Sequence, residues 1–545
     1  MSVGHKRKIE DEKEPTAVKE GSETCSDLET TGSPGSHPFS DPVIADYYRK
    51  EYEEAKYECR HAFDPSLTWT KEEEKRVVRK LDWHIMGVII LIYAAFQLDI
   101  GSLVQAVADN MLTELNMDTN QYNLGNQLYS FITLICELPV QLVIRRFGAD
   151  KVLPCQLIAW GVLVLSQAGL RNHYGFYVTR ILCGFAAAGF MTTVSVWLTY
   201  FYTSTELAFR MALIFATMTM DQVVTSLLAF GVLRMRGLCN LSGWQWLFIV
   251  EGVLTFIAGS VALLIMVPSI VQTKNIVYRK GWLSEREQLI AVNRILRDDP
   301  SKGTMHNRQA ITIKELLRAL RDYDFWPIYL MSLIMYFPES VLTPYLPLNL
   351  RSIGFSAIKV QLMVIPPFVI HTASMLLLTR ISQIVDERAL MELVPAIWKA
   401  VVLGCLRWWP GSFVDQWGTY ALLVALRSTP SCLPIYLGWN SRNANSVRTR
   451  AVAASAGQFF FKCGTILAQQ VYRKDDAPVY HRGNLILFCV NIANVPLMIL
   501  TKFYFMWRNK RRDEIWDKMT EEERQRYTMY TTDEGNKRLD FRFAH

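Results

Sequence analysis

The stretch His84–Asn110, HIMGVIILIYAAFQLDIGSLVQAVADN, is apolar over about the length that a helix needs to cross a bilayer. It contains a carboxylate, Asp99, between Leu98 and Ile100. A charged side chain in hydrocarbon costs roughly 3 kcal/mol on insertion scales, so such residues usually face an interior cavity and take part in function. The stretch therefore predicts a membrane-spanning helix with a buried ionisable group.

The composition of the whole chain agrees with this interpretation. Of the 545 residues 50% are hydrophobic, 15 are Trp and 27 are Phe, which is too apolar for an ordinary soluble protein. The net charge is +7, and the basic residues form short clusters between apolar runs, so membrane topology explains them better than nucleic acid does. The ten Cys show neither paired spacing nor a Cys/His array. A polytopic membrane protein without a metal or another cofactor is predicted.

Twelve apolar runs have about the length of a membrane-spanning helix. They lie near residues 84–110, 124–144, 152–170, 177–200, 210–233, 246–268, 325–346, 360–383, 391–409, 416–438, 451–471 and 484–507. If all twelve runs cross the membrane, the basic clusters KRVVRK (75–80), RRFGADK (145–151), SRNANSVRTR (441–450) and WRNKRR (507–512) fall on the same side. The positive-inside rule makes that side the cytoplasm and predicts that both termini are cytoplasmic.

The longest break between apolar runs, at 269–323, divides them into six and six. Apolar residues recur there at helical spacing among charges, which predicts amphipathic helices along the membrane surface. The first 80 residues are polar and lack the apolar core of a signal peptide, so they are predicted to be disordered. The expected regions are a cytoplasmic tail (1–80), an N-terminal six-helix bundle (81–268), a cytoplasmic linker (269–323), a C-terminal six-helix bundle (324–507) and a cytoplasmic tail (508–545). This all-α layout is typical of major facilitator transporters, whose substrate site lies near the midplane between the halves.

Short motifs between residues 80 and 545 make this interpretation more specific. In chain order they are LDIG, FGADKVLP, RILCGFAAAGF, YFYTSTELAFR, GWQWLFIVEG, IGFSAIKVQLMVIPP, GWNSRNANSVRTRAVAAS, YRKDDAPVYHRGN and DEGNKRLDFRFAH. In this order and spacing the chain resembles the fungal anion:cation symporters of the major facilitator superfamily, the group of allantoate, nicotinate, pantothenate and biotin permeases. FQLD and YFYTSTEL resemble a subgroup similar to inorganic sulphur-anion transporters.

The resemblance implies a proton-coupled symporter that carries a small organic or sulphur-containing anion by alternating access. It also implies a monomer in the plasma membrane whose partners are the anion, protons and lipid, without nucleic acid. Two alternatives stay open, a non-transporting nutrient sensor on the same fold and a facilitator that does not use protons. Because the sequence has no phosphate-binding loop, HExxH helix or nucleophile elbow, enzymatic chemistry is not expected.

Departures from the family pattern bear on the buried charges. Relatives commonly have Arg where this chain has Ile100, and many have Glu where it has Ala187. Removing one member of a buried ion pair costs about 3–5 kcal/mol, whereas replacing both members can be neutral, so the joint loss suggests compensation. Asp99 and Arg180 are then the expected surviving pair. Asp99 is the candidate proton carrier, and Arg180 is a candidate contact for an oxyanion or a helix-packing residue.

Further ionisable residues lie inside apolar runs. Lys462 and Arg427 stand where relatives have neutral residues; they either favour anions in the cavity or extend towards a membrane interface. Glu137 is expected to bond between helices or to act in gating, and Asp221 to face one of the cations. His371 is either a titrating group or a packing residue. All five are candidates for substrate binding or proton coupling.

Two loops resemble the gating loops of the family. Gly148, Asp150 and Lys151 form the expected turn after the second run, where Asp150 caps a helix or pairs across the halves. The second loop contains Arg388, but Gln383 and Ile384 replace its usual Asp-Arg, which puts gating by that loop in doubt. Asn240, in Asn-Leu-Ser on an expected outer loop, is a candidate for N-glycosylation.

Overall fold

The computed structural model describes residues 38–55, 57–275, 277–300, 321–385, 387–443, 447–530 and 535–544. The regular structure in these ranges is helical. The α-helices are α1 (Pro42–Glu54), α2 (Lys71–Leu81), α3 (Gly87–Ala108), α4 (Met111–Glu114), α5 (Thr119–Phe147), α6 (Ala149–Gln167), α7 (His173–Ala187), α8 (Phe190–Thr199), α9 (Ser204–Val232), α10 (Gly243–Ile265), α11 (Glu285–Asp298), α12 (Trp326–Met335), α13 (Phe337–Ser352), α14 (Ala357–Met363), α15 (Ile365–Val385), α16 (Leu393–Trp408), α17 (Gln416–Arg427), α18 (Leu433–Asn443), α19 (Val447–Ala468), α20 (His481–Trp516) and α21 (Glu521–Tyr530).

Each of the twelve apolar runs coincides with one helix or with two consecutive helices. Eight of these helical stretches are long and apolar enough to cross a membrane. The other four, built from α5, α16, α17 with α18, and α19, are shorter, interrupted or more polar. The predicted all-α fold is confirmed, and twelve crossings remain a prediction that the helix positions fit.

Four of the runs are broken near their middle. The break between α7 and α8 lies at Gly189, whose φ of 68° is in the left-handed region that glycine tolerates. Proline accompanies the other breaks, with Pro338 at the start of α13, Pro366 at the start of α15 and Pro430 between α17 and α18. The breaks leave helix ends inside the bundle, where their unpaired backbone groups can bind a ligand.

The helices form two bundles that meet along a few helix pairs. In the N-terminal half α3 packs on α9 and α10, and α10 packs closely on α6. A Cβ atom on Gly161 of α6 would lie 2.7 Å from the backbone nitrogen of Phe256, so glycine permits that approach. Between the halves α5 contacts α19, α3 contacts α13, and α9 contacts α14 and α15. Two of the candidate residues, Glu137 on α5 and Lys462 on α19, lie on one of these pairs.

Residues 38–55 and 57–80 are folded, which corrects the prediction of a disordered tail; residues 1–37 lie outside the described residues. The Tyr52 hydroxyl donates to the Pro300 carbonyl at 2.8 Å, and the Asn293 side chain bonds the backbone of both Ala62 and Asp64 at 2.8 Å. Phe39, Tyr52, Phe63, Trp69 and Val77 are buried in this region. These apolar side chains find a partner surface on α11, which lies more than 200 residues away in the chain. We call residues 38–81 together with α11 the N-terminal brace.

The linker contains the expected amphipathic helix at α11, which packs on the N-terminal segment. Its apolar residues Ile290, Ile295 and Leu296 are buried in the N-terminal brace. The Arg294 guanidinium bonds Glu206, next to the start of α9, at 2.6 Å. The linker is therefore fixed to the N-terminal half as far as residue 300. Most of the second expected amphipathic stretch lies outside the described residues.

The C-terminal tail is docked on its own half of the molecule. Helix α20 continues to Trp516, past the expected boundary at 507. Phe543 is buried and stacks on Phe505 with ring centroids 4.9 Å apart. The Ala544 carbonyl accepts a hydrogen bond from the Trp439 indole at 2.7 Å. We call residues 535–544 the C-terminal clasp, because they join the ends of α18 and α20.

Candidate functional site

Glu137 on α5 and Lys462 on α19 form an ion pair that joins the two halves. The Thr192 hydroxyl on α8 donates to the second carboxylate oxygen of Glu137 at 2.9 Å. The side chains are 25% and 29% exposed, so the pair faces an open space between the helices. Lys462 thus points to an acid of the other half and not to a membrane interface. The structure brings together two candidates that the sequence had placed on different helices without relating them.

Polar contacts close the two halves against each other at one end. The Asn123 amide nitrogen donates to the Tyr472 carbonyl at 2.5 Å, and the Tyr345 hydroxyl donates to the Asn123 side-chain oxygen at 2.6 Å. Near them Arg351 donates to Asn110 at 3.1 Å. This end lies opposite the basic clusters, so it is the outer end in the expected orientation.

At the basic end, two ion pairs whose partners are both described join elements within one half. Arg210 bonds Asp82 at 2.9 Å in the N-terminal half. Lys502 bonds Glu387 at 2.6 Å in the C-terminal half. Within the part of the chain that the structure describes, hydrogen bonds between the halves thus concentrate at the outer end. In an alternating-access carrier, such bonds have to break before that end can open.

Three acids lie together in the core of the N-terminal half, Asp99 on α3, Asp221 on α9 and Glu251 on α10. They are 5%, 3% and 0% exposed and close enough to interact electrostatically. The Thr255 hydroxyl and the Trp160 indole lie beside Asp99. Among the described residues, however, no donor reaches hydrogen-bond geometry with either oxygen of Asp99 or Glu251. We call these residues the acidic cluster.

The expected ion pair between Asp99 and Arg180 does not form. Arg180 donates to the Asn126 side chain at 3.1 Å and lies over the Tyr129 ring at 4.4 Å, and both partners are on α5. Asp99 lies beside Trp160 on α6 and Thr255 on α10, and neither of its oxygens bonds Arg180. Asp221 was likewise expected to face a cation and instead lies beside Asp99. The cause is helix rotation, which the sequence does not fix.

The C-terminal half buries a second set of ionisable groups. Glu339 on α13 lies 3.5 Å from His371 Nε2 on α15 and 3.7 Å from the Arg427 guanidinium at the end of α17. Nδ1 of His371 is 2.6 Å from the Thr429 carbonyl, and Arg427 lies over the Phe368 ring at 4.6 Å. Arg427 is therefore buried beside an acid and does not extend to an interface. The residues Glu339, His371 and Arg427 with Lys399 and Glu392 are called the mixed-charge cluster.

Lys399 and Glu392 belong to this cluster through a small cavity. They line it together with Glu339, Asn491 and Asn494. The cavity measures about 20 Å³, roughly the room of one water molecule. Lys399 is 8% and Glu392 6% exposed, and Asn494 donates to Glu392 at 3.4 Å.

Three members of the mixed-charge cluster were missed by the sequence analysis: Glu339, Glu392 and Lys399. The sequence did contain a sign of them, because each is an ionisable residue within an apolar run. The segments are YFPES, LMELV and AIWKA, in the same order as the residues. The same indication had selected Asp99 and Glu137.

The expected gating residues lie in two turns at the basic end. Gly148 has a φ of 87° and joins α5 to α6, and the Asp150 carboxylate folds back over it, next to Lys151 at the start of α6. Arg388 lies in the connection before α16 and is half-buried. Gating by these residues stays a prediction.

The glycosylation candidate Asn240 is exposed in a short turn before α10, near the outer end. The Ser242 hydroxyl of the same sequon donates to Glu114. Use of this sequon stays a prediction.

The family model of the Major Facilitator Superfamily matches residues 89–469, which cover all but the last of the apolar runs. The chain belongs to the major facilitator superfamily. Its similarity to the uncharacterized transporter YIL166C of Saccharomyces cerevisiae is 38% identity over 511 residues, 93% of this chain and 94% of the relative. The major facilitator-type transporter hxnP of Emericella nidulans is 27% identical over 81% of this chain and 88% of its own length.

Solved structures show the same fold at low sequence identity. A bacterial homolog of the human lysosomal transporter Spinster, in an inward-facing and unoccupied conformation, matches with a TM-score of 0.58 and 13% identity over 80% of this chain and 97% of its own. A D-xylose-proton symporter matches with a TM-score of 0.56 and 13% identity over 76% of this chain and 97% of its own. This major facilitator protein is an integral membrane transporter and not an enzyme.

Proposed function

We propose that the protein is a proton-coupled symporter that imports a small organic or sulphur-containing anion by alternating access. The observation that carries this proposal is the partly exposed ion pair between Glu137 and Lys462, which bridges the two halves. The resemblance to fungal anion:cation symporters supports the choice of an anion. The proposed location is the plasma membrane with both termini in the cytoplasm.

The pair suggests how an anion and a proton are carried together. An anion that enters the space between the halves competes with Glu137 for the Lys462 ammonium. A carboxylate that loses its cation inside the membrane region is costly, so Glu137 then takes up a proton. The Thr192 hydroxyl keeps the carboxyl group in place during this exchange. Anion and proton thus leave the charge of the site unchanged, which favours their joint movement.

The acidic cluster is a further candidate for proton binding in the same cycle. Three buried acids without a nearby cation among the described residues cannot all be ionised at low cost, because like charges repel where water is excluded. Asp99 therefore stays a candidate proton carrier, but the groups that surround it differ from those expected. Its relevant neighbours are Asp221 and Glu251 instead of Arg180.

The first experiment identifies the substrate. The thermal stability of the purified protein is measured with nicotinate, allantoate, pantothenate, biotin, sulphate, sulphite and sulphonates at acidic and neutral pH. A ligand at about one hundred times its Kd stabilises the folded state by about 2.7 kcal/mol. We expect one anion to stabilise the protein, and more strongly at acidic pH. A well-folded protein that no compound stabilises would favour the sensor.

The second experiment tests coupling in proteoliposomes with the anion identified in this way. We expect an inward proton gradient to drive accumulation and an uncoupler to abolish it. Glu137→Gln should retain exchange of the anion but lose accumulation, whereas Lys462→Met should lose both. Lys462→Arg, which keeps the charge, is the matched control. Uptake that is independent of pH and of uncouplers would indicate a facilitator and would refute proton coupling.

A further inference from the structure

His371 is held in one tautomer by its surroundings. Its Nδ1 is 2.6 Å from the Thr429 carbonyl, and a carbonyl only accepts hydrogen bonds, so Nδ1 carries the hydrogen. In the neutral ring Nε2 is then an acceptor. This nitrogen faces the Glu339 carboxylate at 3.5 Å, which is also an acceptor when ionised. Two acceptors face each other, and a proton between them would turn repulsion into a hydrogen bond.

We propose that Glu339 and His371 together hold one transferable proton, so that the C-terminal half carries a proton site of its own. Its role in transport rests on the proposed proton-coupled symport. Proton binding itself does not depend on that proposal.

Arg427 attracts the Glu339 carboxylate without forming a hydrogen bond to it. Its guanidinium is 3.7 Å from Glu339, outside hydrogen-bond distance, and its buried Nε has no hydrogen-bond partner among the described residues. A structural Arg–carboxylate pair is usually shorter and bidentate. Here the guanidinium attracts the carboxylate electrostatically but does not fix its position by a hydrogen bond. The unfilled donor leaves Arg427 free to bind another acceptor.

The charged and titratable groups around the couple come from several elements. They are Tyr336 next to the start of α13, Glu392 and Lys399 at and within α16, Arg427 on α17 and Cys432 before α18. With Glu339 and Glu392 ionised and His371 neutral, the acids balance Lys399 and Arg427. Uptake of one proton leaves one positive charge in excess, which an anion near Arg427 would balance. Proton and anion would therefore favour each other's binding.

The cavity has room for one water molecule beside Glu339. Glu392, immediately before α16, lines the same cavity. Lys399 lies seven residues further along, a rise of about 10 Å on a helix. Acids, an ammonium and two Asn amides provide the partners that a buried water needs.

The test counts protons on the purified full-length protein. Wild type is titrated between pH 8 and pH 5 in unbuffered detergent solution, with Glu339→Gln, His371→Asn, the double variant and Glu514→Gln. Glu514 is exposed near the end of α20 and serves as the control for a carboxylate outside the cluster. We expect each single variant and the double variant to bind about one proton fewer than wild type. The control should bind the same number as wild type.

The equal loss follows from the shared site. Without Glu339, the buried ring of His371 lies beside Arg427 and Lys399, and two cations oppose its protonation. Without His371, Glu339 stays ionised beside Arg427. A loss in His371→Asn alone would indicate an ordinary histidine, and a double loss of two protons would indicate independent sites; either result overturns the proposal. No loss in any variant overturns it as well.

The experiments distinguish failure of this proton site from failure of the proposed symport. If Glu339→Gln does not fold, His371→Asn is compared by the same titration with His371→Gln, and an unchanged proton count in both overturns the site. If uptake is proton-coupled and no variant loses a proton, the symport proposal stands without this site. If the variants lose the proton and uptake ignores pH, the site stands and the symport proposal fails.

Discussion

Asp99, Asp221 and Glu251 are buried side by side in the N-terminal half, whereas Glu339 in the C-terminal half faces His371 and the cation Arg427. Both groups are intramembrane, and both avoid the cost of an isolated buried charge. The acidic cluster can avoid it by holding protons, since the described part of the chain places no cation against it. The mixed-charge cluster avoids it by pairing. Proton uptake in the first removes charge, and in the second it adds charge.

At their basic ends the two halves resemble each other. Ion pairs support the N-terminal brace, such as Lys80 with Glu287 at 2.8 Å and Arg286 with Glu73 at 2.8 Å. The C-terminal clasp likewise has ion pairs, such as Arg542 with Asp513 at 2.6 Å, beside the aromatic packing of Phe543 on Phe505. The contrast between the halves therefore lies in their interiors. Variants in each location test whether this contrast holds.

The largest effect is expected for Arg427→Met in the mixed-charge cluster. At pH 8 it leaves Glu339 buried without its cation, which should cost about 3–5 kcal/mol of unfolding free energy. The double variant Arg427→Met with Glu339→Gln removes both charges and should recover most of the loss. Denaturation in mixed detergent micelles measures both. A double variant no more stable than the single one would contradict charge pairing in this half.

A smaller effect is expected for Phe543→Ala in the C-terminal clasp. A buried Phe in a core costs about 3–5 kcal/mol when truncated, and here about 2 kcal/mol is expected because the clasp can undock instead. Hydrogen exchange should rise at the ends of α18 and α20 and not in the N-terminal brace. Phe541→Ala, at a half-buried position of the same segment, is the control and should change less. Equal exchange in both variants would contradict docking through Phe543.

A change within about 1 kcal/mol, neutral or stabilising, is expected for Asp99→Asn in the acidic cluster, because no buried cation loses its partner. The matched control is Asp109→Asn in the same half. Asp109 is buried and bonds Arg236 at 3.0 Å, so this change should destabilise the protein more. The same denaturation assay compares them. A loss for Asp99→Asn as large as for Asp109→Asn would show that Asp99 has a cationic partner.

The smallest effect concerns the N-terminal brace and pH. Burial opposes ionisation of Glu287, but hydrogen bonds from Lys80 and from the Ser284 backbone outweigh it and lower the pKa of Glu287. A lowered carboxyl pKa stabilises the folded state fully above the unfolded value of about 4.3, and this contribution is lost as pH falls through the folded pKa. Hydrogen exchange of the brace should therefore be unchanged between pH 7 and pH 5, after correction for intrinsic rates. Loosening already at pH 6 would contradict this prediction.

Much of the fold followed from the sequence. The twelve apolar runs each proved helical, and the break at 269–323 separates the two bundles. Their detection needs only local composition, because the bilayer sets the length of an apolar segment. The N-terminal brace could not be predicted in this way, because it depends on contacts between residues that are far apart in the chain. Tyr52 and Trp69 in a polar segment gain a partner only when α11 folds against them, and no local pattern records that contact.

The candidate site was predicted only in part. The sequence selected Glu137, Lys462, His371 and Arg427 because each is ionisable within an apolar run. It paired Asp99 with Arg180 wrongly and overlooked Glu339. Successive residues on a helix point about 100° apart, so a small rotation exchanges one neighbouring helix for another. Apolar residues surround a membrane helix on most sides, so hydropathy does not fix that rotation.

The sequence by itself determined that this chain is an all-helical major facilitator protein in two halves with ionisable groups inside the membrane region. Hydrophobic length and the order of the motifs are properties of the linear chain, which explains why they could be read directly. Only the tertiary structure decided that Glu137 meets Lys462 across the halves and that Glu339 meets His371. Such pairs depend on packing between helices far apart in the chain, because burial of a charge is tolerated only where a partner or a proton offsets it.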